Sequence, residues 1–190
     1  MRNFSWCVYT YRHRKAFLYV AAKYVHDPVM REEIMRRGED HDLDKMLMYL
    51  FMDQYESQIA HVQTQPHHLE CAGEHSFYDL LETVIDYECA PYTKPDKPLN
   101  AYDFTLQLYE GGYISRECKD QLTEIMRMLG IDSSYTVSEK DPEGRAYMEN
   151  IGEVSEDMIL KEVMRYIHRH PEMSFPVLET EENEHTGEIL

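Results

Sequence analysis

Apolar residues in this chain recur at helical steps and nowhere at the sustained alternation of a strand, which limits the fold more than any other feature. Over residues 6–24, Phe17, Val20, Ala21 and Tyr24 form a stripe at steps of three and four, and His13 lies four residues before Phe17 on the same side. Asp27 followed by Pro28 marks a helix start, and the helix over 28–37 is expected to stop at Gly38. The next helix is expected from about Asp40 through Leu43, Leu47, Leu50 and Phe51 towards Ile59. Residues 62–75, with Pro66 and Gly73, read as a loop before a helix over 77–89. Asn100 and Ser115 are cap residues for helices over 101–110 and 116–130, and Ser155 opens a last helix that ends before Pro171. Residues 131–152 carry turn residues and few apolar ones.

The class that follows is all-α, with roughly seven helices in one domain. Its body is expected over residues 1–130, with a linker and packed helix over 131–178 and an acidic mobile tail over 179–190, which has too few apolar residues to pack. The 190 residues are enough to bury a core.

Charge narrows the partners. The formal net charge is -17, from 36 acidic and 19 basic residues, so an extended nucleic-acid-binding surface is not expected. The acidity is uneven: residues 1–70 carry 10 acids and 9 bases, whereas residues 139–190 carry 14 and 5. No run of about 18 apolar residues is present to span a membrane, and no basic-then-apolar leader opens the chain, so a soluble, cytoplasmic protein is expected. The cysteines Cys7, Cys71, Cys89 and Cys118 lie far apart, without the close pairing of zinc ribbons, and read as buried or free thiols.

Metal-competent residues fall in a suggestive order on these helices: His13, the adjacent pair His41-Asp42, then Asp86, with His61, His67 and His68 between. Each also has a plainer reading. His13 on an apolar face can be a satisfied core histidine, His41-Asp42 can cap a helix, and Asp86 can belong to a solvated stripe with Asp79 and Glu82. Four segments carry more detail: Tyr11-Arg12-His13-Arg14-Lys15, Arg37-Gly38-Glu39-Asp40-His41-Asp42-Leu43-Asp44-Lys45, Gln65-Pro66-His67-His68, and Leu80-Leu81-Glu82-Thr83-Val84-Ile85-Asp86-Tyr87.

This ordered set resembles the HD-domain superfamily, and in detail an uncharacterised HD-like family of bacterial and phage-encoded proteins, over roughly residues 10–105. That family usually has a serine where Asp44 stands, asparagine where Gln65 stands and tryptophan where Tyr87 stands. The resemblance implies a helical bundle in which His13, His41, Asp42 and Asp86 hold a divalent metal that activates water for phosphoester cleavage. It further implies one or two such ions (Mn, Fe, Zn, Ni, Co or Mg), with His61, His67 and His68 as candidates for a second ion or for substrate contact. Lys45, one turn after His41, can hold a substrate phosphate or pair with Asp42 or Asp86; with His67 and His68 it completes the candidate catalytic set.

The leading expectation is therefore a metal-dependent phosphohydrolase acting on a nucleotide or other small phosphoester. An acidic phage-type inhibitor that occupies a basic protein partner, and an HD scaffold without catalysis, are the alternatives. The surface is also compatible with a homodimer. No phosphate-binding glycine loop, G-x-S-x-G elbow or H-E-x-x-H helix occurs.

Overall fold

A computed structural model describes residues 3–70, 73–94 and 99–171. The described residues form ten α-helices and one 3-10 turn and no strand, so the chain is all-α as its spacing predicts. The helices are α1 (Phe4–Tyr24), α2 (Pro28–Asp40), α3 (Leu43–Met48), α4 (Gln54–Thr64), α5 (Phe77–Cys89), α6 (Ala101–Glu110), α7 (Arg116–Met128), α8 (Val137–Lys140), α9 (Pro142–Glu149) and α10 (Glu156–Arg169), with the 3-10 turn at Ala90–Tyr92. Eight of them have eight residues or more.

Short polar side chains set most of the starts. Asp27 accepts from the backbone N–H groups of Val29 and Met30 ahead of Pro28, and Asn100, Ser115 and Ser155 do the same for α6, α7 and α10. Ser76 and Asp79 close a reciprocal capping box on α5.

Helix α1 is the axis. It packs on α2, α3, α5, α9 and α10, and two apolar cores lie along it. Phe17, Val20 and Ala21 of α1 join Ile34, Leu81, Ile85, Leu122 and Met126 in the first. Cys7 and Tyr11 join Leu43, Met46, Leu47, Ile159 and Val163 in the second. The change from one core to the other falls at His13 and Arg14, both buried. Arg14 pairs with Glu162 of α10 at 2.8 Å and donates to the Glu39 carbonyl at 3.0 Å, which ties the last helix to the first two.

Three expectations change. Gly38 does not stop α2, which runs to Asp40. A Cβ there would lie 2.7 Å from Leu18 Cδ2 and 2.9 Å from Phe17 Cε1, so the glycine lets α2 press onto α1. Gly38→Ala is therefore expected to destabilise the fold by about 1–3 kcal/mol through overpacking, measured by urea unfolding. The single helix expected over 40–59 is broken: α3 ends at Met48, and Asp53 caps α4 by accepting from the Glu56 N–H. The stretch over 131–152 is not merely turns; it holds α8 and α9, and Ile131 and Met148 enter the first core. Asp141 fastens this region by accepting from Tyr92 Oη at 2.5 Å, Tyr19 Oη at 3.2 Å and the Gly144 N–H at 3.1 Å, with Lys23 Nζ at 2.6 Å.

No helix among the described residues is long and apolar enough to cross a membrane. The expected acidic tail over 179–190, and Cys71, lie outside the described residues, while Cys7, Cys89 and Cys118 are free thiols.

Candidate metal centre

Four chain segments bring their histidines and carboxylates to one place. Helix α1 supplies His13, the break between α2 and α3 supplies His41 and Asp42, α4 and the turn after it supply His61, His67 and His68, and α5 supplies Glu82 and Asp86. Asp42 stands at the start of α3 with φ 62° and makes no capping hydrogen bond. A left-handed backbone is costly for a non-glycine residue, although Asp tolerates it better than most. The conformation turns the carboxylate away from the helix end and into the cluster.

His13 Nε2 lies 2.7 Å from Asp86 Oδ1 and 3.9 Å from Asp42 Oδ2, and His41 Nε2 lies 3.5 Å from the same Asp86 oxygen. On its other side, Asp42 Oδ1 is 2.9 Å from His61 Nε2 and 3.8 Å from His67 Nε2. Asp42 thus faces two groups of nitrogen donors, one with each oxygen. Donor atoms around an ion bound at roughly 2.1 Å stand about 3–3.5 Å apart, which is the scale seen here.

A carboxylate stands behind each of three imidazoles. Glu82 Oε1 is 2.9 Å from His41 Nδ1 and 3.3 Å from His67 Nδ1, and Glu82 is itself held by Arg37 at 3.1 Å. Asp44 Oδ2 is 2.8 Å from His61 Nδ1 and accepts from Gln65 Nε2 at 2.9 Å. Held this way, each ring keeps a proton on Nδ1 and turns Nε2 inward, the arrangement by which proteins orient and strengthen imidazole ligands. The Nε2 atoms of His41, His67 and His68 are buried without a hydrogen-bond partner, and His61 Nε2, equally buried, has only its close contact with Asp42. Buried polar atoms are rarely left so, and imidazole nitrogens gathered around one carboxylate are the feature a bound cation would satisfy.

Burial opposes charge throughout the cluster, and the outcome depends on neighbours. It depresses His41, yet Asp42, Asp86 and Glu82 overcome it and raise that imidazole to about 10. It raises Asp42 and Asp86, yet Lys45 with His41 and His61 on the first, and His13 with His41 on the second, hold both well below the usual carboxylate range. Burial, followed by the charge on His41, lowers His67 to about 3, and burial foremost lowers His68 to about 4. His67 and His68 are therefore neutral at pH 7 and offer lone pairs rather than protons.

A cavity of about 470 Å3 opens onto this cluster. His13, Asp42, Lys45, His68 and Asp86 line it beside Trp6, Tyr9, Gln54, Gln58, Thr93 and Lys94. Lys45 Nζ lies 2.9 Å from Asp42 Oδ2, so of the two partners the sequence allows, Asp42 takes it. Lys94 forms no ion pair among the described residues; its ammonium sits 5.5 Å from the centre of the Tyr9 ring. The buried Cys89 thiol packs on the His13 ring at 3.8 Å from Nδ1 and donates to the Asp86 carbonyl at 3.2 Å.

The structure brings together His13, His41, Asp42, Asp86, Lys45, His61, His67 and His68, every residue singled out from sequence. Of the three later histidines, His61 is in α4 and fully buried, His67 is buried in the turn after it and fixed by Thr83 donating to its carbonyl at 2.6 Å, and His68 is half-buried in the same turn. Sequence reasoning does not assign roles to Glu82, Asp44 or Lys94. Glu82 shares a face with Asp86, which is legible, whereas its engagement with His41 depends on a partner 41 residues away.

No family model, curated protein or solved structure matches the chain.

Proposed function

We propose that the chain is a divalent-metal phosphohydrolase acting on a small phosphoester such as a nucleotide. The observation that carries this reading is the gathering of the buried Nε2 atoms of His41, His61, His67 and His68 around Asp42, a carboxylate that itself lines an open cavity. His13, His41, Asp42 and Asp86 would hold one ion, and Asp42 with His61, His67 and His68 have the donors for another. A divalent ion held there supplies an acidified water and offsets charge on phosphoryl oxygens.

The chain's own residues do the rest. Glu82 and Asp44 fix the ring orientations, and Lys45 shares the Asp42 charge. Lys94, without a carboxylate partner among the described residues, lines the cavity and would attract the phosphate. A cavity of about 470 Å3 in a chain of charge -17 suits one small anion drawn to a local site better than a polynucleotide.

The test is turnover of a phosphoester panel with Mn2+, Co2+, Zn2+ and Mg2+ supplied in turn. The expected result is metal-dependent phosphate release that falls about 100-fold or more in His13→Ala. Release unaffected by His13→Ala, or none with any metal, would overturn the assignment.

A further inference from the structure

The outer half of the cavity has a chemistry of its own. Trp6, Tyr9 and His13 stand at steps of three and four on α1 and so form one stripe from the rim to the candidate metal ligands. The Tyr9 ring is parallel to His13 at a centroid distance of 5.8 Å and 10°, and Trp6 meets Tyr9 edge-on at 6.2 Å and 76°. Seven residues of helix set the rim about 10 Å from the floor. Trp6 is the sole tryptophan of the chain and is 42% exposed, although most of its neighbours on α1 are covered.

Gln54 and Gln58 line the same cavity from α4, one helical turn apart on one face. Neither side-chain amide has a hydrogen-bond partner among the described residues, so each has donors and an acceptor to spend on a ligand. Lys94 lines the same cavity, its ammonium 5.5 Å from the centre of the Tyr9 ring. Aromatic side chains with uncommitted amides suit a flat ring bearing polar edges, and a cation in the same cavity suits a phosphate attached to it.

We infer that the outer cavity binds a planar heteroaromatic ring, and that the ligand of the site is a phosphomonoester whose alcohol carries such a ring, a nucleoside monophosphate being the simplest. This rests on the proposed phosphoester reading for the position of the phosphate. The ring stacks beside Trp6 and Tyr9, Gln54 and Gln58 meet its edge, and Lys94 meets the phosphate.

The single tryptophan makes the test direct. Adenosine monophosphate, ribose 5-phosphate and inorganic phosphate are titrated into the full chain, following Trp6 emission and, in parallel, heat. The expected result is saturable quenching by adenosine monophosphate alone and binding about 5- to 100-fold tighter than ribose 5-phosphate. Trp6→Ala and, separately, Gln58→Ala should bring that ratio towards one by calorimetry while leaving ribose 5-phosphate affinity and the circular dichroism spectrum unchanged. Equal affinity for the two esters, no saturable binding of either, or a preference that survives both variants would overturn the inference. Tight adenosine monophosphate binding without hydrolysis under any metal would sink the hydrolase reading and keep this one. Equal hydrolysis of both esters without quenching would do the reverse.

Discussion

Asp42→Ala is expected to abolish metal binding and to cost the metal-free chain about 3–5 kcal/mol of folding stability. The carboxylate is the shared counter-charge of the cluster: Lys45 Nζ lies 2.9 Å from one oxygen and His61 Nε2 lies 2.9 Å from the other. Removing it strands the buried Lys45 ammonium and deprives His41 of a charge that keeps its imidazole protonated. Alanine also sits poorly at φ 62°, where asparagine does not. Asp42→Asn separates these effects, since it keeps the volume and suits the backbone but drops the charge. Urea unfolding should place Asn between wild type and Ala, while calorimetric titration with Mn2+ or Zn2+ should show both variants without high-affinity binding.

The second large effect is on pH. In the metal-free chain, stability is expected to peak near pH 6.5 and to fall on both sides. His41 is raised to about 10, so its contribution is fully present below its unfolded value near 6.5 and is lost as pH rises through about 10. His67 and His68 are lowered to about 3 and about 4, so the folded state refuses protons that the unfolded chain accepts, and stability falls as pH drops from 6.5 towards those values. A bound cation reverses the alkaline side. It takes the place of the His41 proton, so metal affinity rises with pH and binding releases protons to the buffer. Melting temperatures from pH 4 to 10 with chelator and with saturating metal test this: the chelated profile should be a dome, and the loaded one should hold its stability on the alkaline side. A chelated profile flat from pH 6.5 to 10 would contradict the assigned charge on His41.

Capping residues were the most legible part of the fold. Asp27, Asn100, Ser115 and Ser155 each precede an apolar periodic run, and the physics that makes them caps is local. Gly38 shows the limit, because the residue type that ends helices also permits close approach between them, and only Phe17 and Leu18 at its surface decide which. The break between α3 and α4 is masked by Leu47, Leu50 and Phe51, whose spacing continues the helical pattern across the turn. Helix α9 is hard to see because only Gly144 and Met148 of its residues are buried.

The site divides in the same way. His13, His41, Asp42 and Asp86 could be named from their order along the helices, and they do converge. Asp44 stands where the resembled family has serine, and nothing local assigns it to His61, a partner 17 residues ahead. Trp6, Gln54 and Gln58 become a wall only once α1 and α4 face each other across the cavity. Long-range pairs of this kind carry no periodicity, and so leave no mark on a single chain.

The central claim is that the cluster around Asp42 holds a divalent cation. Elemental analysis of the full chain after incubation with Mn2+, Co2+ or Zn2+ and exhaustive dialysis tests it most directly, with Asp42→Asn as the matched control. The account predicts at least one equivalent of metal in the wild type and only traces in the variant. Traces in both, or equal metal in both, would contradict it.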